Sequence, residues 1–117
     1  LTFASAEADL SPEGEAALAE IARELEQLTD SLPEDLPWML RIDGHTDDQP
    51  ILRGRFRSNW ELSAARASTV AQYLIEWGLP EDRLIAAGFA DTQPIAEGDD
   101  EEARRRNRRI ELRLTVR

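Results

Sequence analysis

The sequence predicts an α+β fold: a β-α-β-α-β-β two-layer sandwich, a mixed sheet with both helices on one face. Three observations carry that expectation. Stretches beginning near Pro12 and Glu61 repeat apolar residues at helical spacing. Stretches around Trp38, Leu84 and Ile110 are short and apolar, and the first and last show a period of two, with polar residues at most of the alternate positions. The connections are short, with no internal repeat or low-complexity tract. Two helices on one face of a sheet is the simplest packing for that element order. The length of 117 residues fits one domain, 1–117.

The elements follow in order. "LTFAS" suggests a short opening strand. Ser11 then suits a helix N-cap and Pro12 the first helical position. Leu18, Ile21, Ala22, Leu25, Leu28 and Leu32 form one stripe before Pro33 stops the helix. Trp38, Leu40 and Ile42 alternate with Met39, Arg41 and Asp43, as in a half-buried strand. A loop from His45 to about Arg57 holds Pro50, Gly54 and arginines at 53, 55 and 57. Ser58 and Glu61 have capping-box spacing, and the second helix runs to Trp77. Gly78 and Pro80 close it. "RLIAAGF" reads as the next strand. "ADTQPIAEGDDEE" reads as a loop with one helical turn into "EEARRRN". Ile110, Leu112, Leu114 and Val116 alternate with Glu111, Arg113 and Thr115 in the final strand.

Composition excludes some functions. A net charge of −10 argues against nucleic acid as a partner and against loose attraction to anionic lipid. There is no cysteine, so the fold uses no disulfide. No apolar run spans a bilayer and no signal peptide is visible. The chain starts at Leu1, as an excised piece with an upstream anchor would. From Glu7 to Asp35 the only base is Arg23, whereas arginines dominate from Arg104 to Arg117. These are solvated faces, or some of the arginines serve a site.

Chemistry concentrates where the second strand stops. "GHTDD" holds Gly44, the sole histidine His45, Thr46 and the acids Asp47 and Asp48. His45, Asp47 and Asp48 have the residue types of metal ligands, and paired acids can do acid–base work. Yet no second ligand cluster lies at helical spacing and no activated serine or cysteine motif is present. The expectation is therefore no enzyme, no metal and no cofactor. On a helical wheel of the second helix, Leu62, Ala65, Val70, Tyr73, Leu74 and Trp77 share one side, and Arg66 falls among them. A guanidinium keeps its charge and is costly to bury unpaired. It also lies near a helix N-terminus, which favours anions. Two readings stay open. Asp47, Arg66 and the N–H groups around Leu62 and Ser63 form a two-pole site for a zwitterion, or Asp47 and Arg66 form an internal salt bridge.

"GHTDD…SNWELSAARA…GLPEDRLIAAGFADTQPIA…RRNRRIEL" resembles the OmpA-like peptidoglycan-binding domain over nearly the whole chain. The likeness is nearest to the C-terminal periplasmic domain of MotB-type flagellar stator proteins. The resemblance implies non-catalytic binding of peptidoglycan through the diaminopimelate residue of the stem peptide. Asp47 would take the ammonium. Arg66 would take the carboxylate, helped by main-chain N–H groups near Leu62 and Ser63. Thr46 and Asn59 would shape the pocket, and the early loop including Ser5 and Ala6 would line its far wall. Asn107 and Arg108 match the family's NRR and would buttress the site or touch ligand. The resemblance further implies a homodimer in the periplasm, joined through an upstream membrane segment to a stator partner and the flagellar motor. Lipoproteins, outer-membrane proteins and defence-system stator homologues use the same module, and a dimerisation module without wall binding is the remaining alternative. Ser5 departs from an aspartate found in many relatives, and Arg53 to Arg57 has no role assigned by the resemblance. That loop is a solvated segment or a contact for glycan or a partner.

Overall fold

The computed structural model describes residues 8–51 and 54–116. The opening strand expected from "LTFAS", Ser5, Ala6 and Arg53 lie outside the described residues. The elements are α1 (Pro12–Asp30), β1 (Trp38–Gly44), α2 (Asn59–Trp77), β2 (Leu84–Gly88), α3 (Glu101–Asn107) and β3 (Ile110–Val116), with one 3-10 turn at Glu81–Arg83. This is an α+β fold. The described strands form a mixed sheet in the order β2-β1-β3, with β1 in the centre, parallel to β2 and antiparallel to β3.

Local chemistry explains the boundaries. Ser11 caps α1 by accepting the Gly14 N–H at 3.0 Å, with Pro12 in the first turn. The helix ends at Ser31, before Pro33, where the cap N–H returns to the carbonyls of Leu28 and Thr29. Ser58 caps α2 by accepting the Glu61 N–H at 3.2 Å. Gly78 ends it at φ +127°, a backbone that glycine adopts without strain. The stretch read as a single helical turn is the seven-residue α3, capped by Asp100 accepting from Ala103 N–H at 2.8 Å.

The core lies between the helices and one face of the sheet. Trp38, Leu40 and Ile42 of β1 meet Ala67, Val70 and Leu74 of α2, with Leu18 and Ala22 of α1 beside them. The alternation in β1 is what turns these three residues inward. Truncating a fully buried side chain such as Leu74 would leave a cavity and cost about 2–5 kcal/mol. Leu28, assigned to the apolar stripe of α1, is instead 47% exposed, because the stripe outruns the helix–sheet contact near the end of α1. The other face of β1 presents Arg41 and Asp43.

Candidate functional site

Two glycines set the distance between α2 and the sheet. Gly44 ends β1 and pairs in register with Gly88 of β2. A Cβ on Gly44 would collide with the Ser63 carbonyl oxygen, and one on Gly88 would sit 2.7 Å from Ser63 Oγ and 2.8 Å from Ala64 N. The first turns of α2 therefore rest directly on strand backbone. Ser63 Oγ donates to the Trp60 carbonyl at 3.1 Å and accepts from Ala90 N–H at 3.0 Å. The Ala90 carbonyl in turn accepts from Thr46 N–H at 2.9 Å. The loop leaving β1 is thus tied to the start of α2.

Asp47 is buried in that loop, 5% exposed. One carboxylate oxygen accepts the Gln49 N–H at 3.1 Å, and the other accepts from Arg108 Nη1 at 2.9 Å. Arg108 also donates to Glu101 at 2.8 Å. Burial works against the Arg108 charge, but its bonds to Glu101 and Asp47 outweigh that and raise its pKa further. Asn59 Nδ2 donates to the carbonyls of Asp47 and Gln49 at 3.5 and 3.1 Å, and Thr46 Oγ1 donates to the Asp47 carbonyl at 3.0 Å. Thr46 and Asn59 therefore shape the loop through its backbone.

Arg66 is the largest fully buried side chain, with none of its surface exposed. Its Nη1 donates to the His45 carbonyl at 3.3 Å. Leu62 and Ser63, one turn earlier, are also buried. The seam between the end of β1 and the start of α2 so gathers Thr46, Asp47, Asn59, Leu62, Ser63, Arg66 and Arg108. The internal pairing considered for Asp47 and Arg66 takes another form: Asp47 pairs with Arg108. Asn107 is a buttress. Its oxygen accepts the N–H groups of Ile95 and Ala96 at 2.8 and 3.0 Å, and its nitrogen donates to the Ala96 carbonyl at 3.1 Å. Asp48 is exposed and lies 3.4 Å from Arg104. Arg55 stacks over Phe56, with 5.1 Å from its guanidinium carbon to the ring centroid.

Sequence reasoning missed a second cluster, on the sheet face away from α2. Arg41 grips Asp43 with two bonds of 2.7 and 2.9 Å, and Arg113 Nε lies 3.3 Å from the same carboxylate. Arg109 donates to Glu111 at 2.6 Å. His45 turns its ring to this face and stacks on Phe89, 5.1 Å between centroids. It therefore does not join Asp47. Both ring nitrogens are buried without a hydrogen-bond partner. Burial, reinforced by the Arg109 charge, holds the imidazole pKa below its ordinary value. The hydrogen bond from Arg109 holds the Glu111 carboxyl below the usual carboxylate range. Asp43, His45 and Glu111 bring donor atoms within 4.8 Å of one another, close enough to converge on a cation. Arginine bonds on both carboxylates weigh against that use. Strand alternation marks Arg41, Asp43, Glu111 and Arg113 as sharing a face, but not as a network.

The OmpA family matches residues 2–108. An uncharacterised protein of Bacillus subtilis, YtxE, is 42% identical over 107 residues, covering 91% of this chain and 44% of its own length. The chain thus spans less than half of this curated relative. The crystal structure of the C-terminal domain of Helicobacter pylori MotB superposes with a TM-score of 0.86 at 30% identity, covering 97% of this chain and 83% of that one. The cell wall anchor of the type VI secretion system (T6SS) from Pseudomonas aeruginosa superposes with a TM-score of 0.80 at 36% identity, covering 98% and 74%.

Proposed function

Because the chain belongs to the OmpA family, we propose that it binds peptidoglycan without catalysis, holding the diaminopimelate residue of a stem peptide between Asp47 and Arg66. One observation carries the reading: a guanidinium with no exposed surface, about two turns into α2, across the seam from a buried carboxylate. A buried charge of each sign at the start of a helix suits a ligand end that is both ammonium and carboxylate. The ammonium joins Asp47 beside Arg108, since a carboxylate offers about four lone-pair positions. The carboxylate meets Arg66 near the start of α2; the Leu62 N–H, expected to help, already donates to the Ser58 carbonyl at 3.0 Å. Thr46 and Asn59 hold the loop, Arg108 pairs with Asp47, and Asn107 buttresses the neighbouring loop at Ile95 and Ala96.

At the level of the whole protein, the likeness to MotB supports a periplasmic domain that anchors an inner-membrane stator subunit to the wall as a homodimer. The T6SS wall anchor, similar over 98% of this chain, favours a second reading, the same wall-binding role on another anchored protein. Among the described residues, no helix is long and apolar enough to cross a membrane.

Sedimentation with purified sacculi tests the clamp. Asp47→Asn keeps the shape of the side chain and removes its charge. Loss of a charge-assisted hydrogen bond, worth about 1.5–3 kcal/mol, is expected to weaken sedimentation at least tenfold. Free diaminopimelate should raise the melting temperature of the wild type and leave Asp47→Asn and Arg66→Ala unmoved. Variants that sediment as well as wild type would remove Asp47 and Arg66 from the site.

A further inference from the structure

We infer that the uncovered face of the sheet carries a second binding pocket, one that takes a carboxylate attached to a small apolar group. The pocket is a cavity of about 440 Å³ whose lining comes from β1, β3 and the loop after β2, with nothing from α1 or α2. Small-molecule sites fall in the range of roughly 300–1,000 Å³.

Charge selects the ligand class. Arg41, Arg109 and Arg113 face Asp43 and Glu111 across the cavity, and burial keeps His45 neutral. The surplus is one positive charge, which matches a monoanion. A metal cation would compete for carboxylates already held by arginine at 2.6 to 2.9 Å. A phosphate dianion would exceed the surplus and face the two acids.

Donor supply selects the geometry. Arg41 and Arg113 are direct cross-strand partners in the β1–β3 ladder, and the Asp43 carboxylate lies between them. A guanidinium has five N–H groups. Arg41 uses two nitrogens on Asp43, and Arg113 uses one on Asp43 and one on Glu111. Each guanidinium therefore has more N–H groups than these bonds use, and both side chains line the cavity. Phe89 and Ile95 line the same cavity, and Ile95 is 52% exposed with no described cover. They supply the apolar contact that separates an acyl carboxylate from an inorganic anion.

His45 supplies the readout, because it is the only histidine and its ring lies against the pocket. The experiment titrates the isotopically labelled protein with Nα-acetyl-alanine and follows the imidazole C–H resonances by NMR. A saturable shift is expected, with the neutral Nα-acetyl-alaninamide binding at least tenfold more weakly for want of charged hydrogen bonds. The Arg113 side chain is 58% exposed, so Arg113→Gln leaves the core alone and should weaken binding by about the same factor. Ile95→Ser should weaken acetyl-alanine while leaving acetate unchanged. Inorganic phosphate and zinc chloride are run as competing probes. The inference falls if acetyl-alanine gives no saturable shift, if the amide matches the acid, if Arg113→Gln binds as well as wild type, or if phosphate or zinc saturates the signal where the carboxylate does not.

Discussion

The clamp at the end of β1 and the charge network on its open face each bury ionic groups, but they satisfy them in opposite ways. In the candidate clamp, the Asp47 carboxylate has few partners among the described residues. Asp47 has one guanidinium and one backbone N–H, and Arg66 reaches across to a backbone carbonyl. On the open face, contacts are shared. Asp43 touches Arg41 and Arg113, while Glu111 touches Arg109, Arg113 and, at 3.8 Å, His45. A sparse arrangement leaves room for a ligand to add contacts, but each loss is expensive. A shared arrangement tolerates single losses.

Arg108→Ala should separate the two regions most. It leaves Asp47 buried without its ion-pair partner, and breaking a buried pair costs about 3–5 kcal/mol. Urea unfolding with an unchanged slope would measure it. A loss near zero would mean that Asp47 finds water, and the contrast would disappear.

Acid titration sharpens the comparison from the other side. The unfolded His45 takes up a proton near pH 6.5, whereas the folded imidazole, with its pKa lowered by burial and Arg109, stays neutral to lower pH. Below pH 6.5 the unfolded state therefore binds the extra proton, so stability falls as pH drops until the folded imidazole also protonates. The depressed Glu111 carboxyl adds a separate decline, in the carboxylate range, because its ionised form is favoured only in the fold. Stability curves of His45→Gln should lose the upper decline and keep the lower one. A wild-type curve flat between pH 7 and 5 would contradict the burial argument.

The smallest effect belongs to the exposed edge of the network. Arg113→Gln removes contacts of 3.3 and 3.4 Å from a side chain that is 58% exposed. Its stability cost should stay below about 1 kcal/mol, as for other surface pairs. A double-mutant cycle of Arg113 with Glu111 should give weaker coupling than one of Arg108 with Asp47.

How much was legible in the sequence follows the same division. Helical periodicity alone put Arg66 among apolar neighbours, and Ser11, Ser58 and Gly78 mark real helix ends. Those signals are local. The Asp47–Arg108 pair joins residues 61 positions apart, so no spacing rule reaches it. Asp43 reads as an outward, solvated strand residue, yet is 1% exposed, because Arg41 and Arg113 close over it from the same face. His45 reads as a member of the acid loop, but the turn after Gly44 sends its ring to the opposite side. α3 reads as a single helical turn because its seven residues barely outlast their own caps.

The place of β3 ties the Asp47–Arg108 pair to the last of the described strands. β3 arrives last in sequence and pairs with the central strand along the whole of β1. Arg108 stands just ahead of it, so a chain that stops short of residue 108 leaves Asp47 without that ion pair. A prematurely terminated product therefore has an open edge on its middle strand and an orphan acid in its pocket.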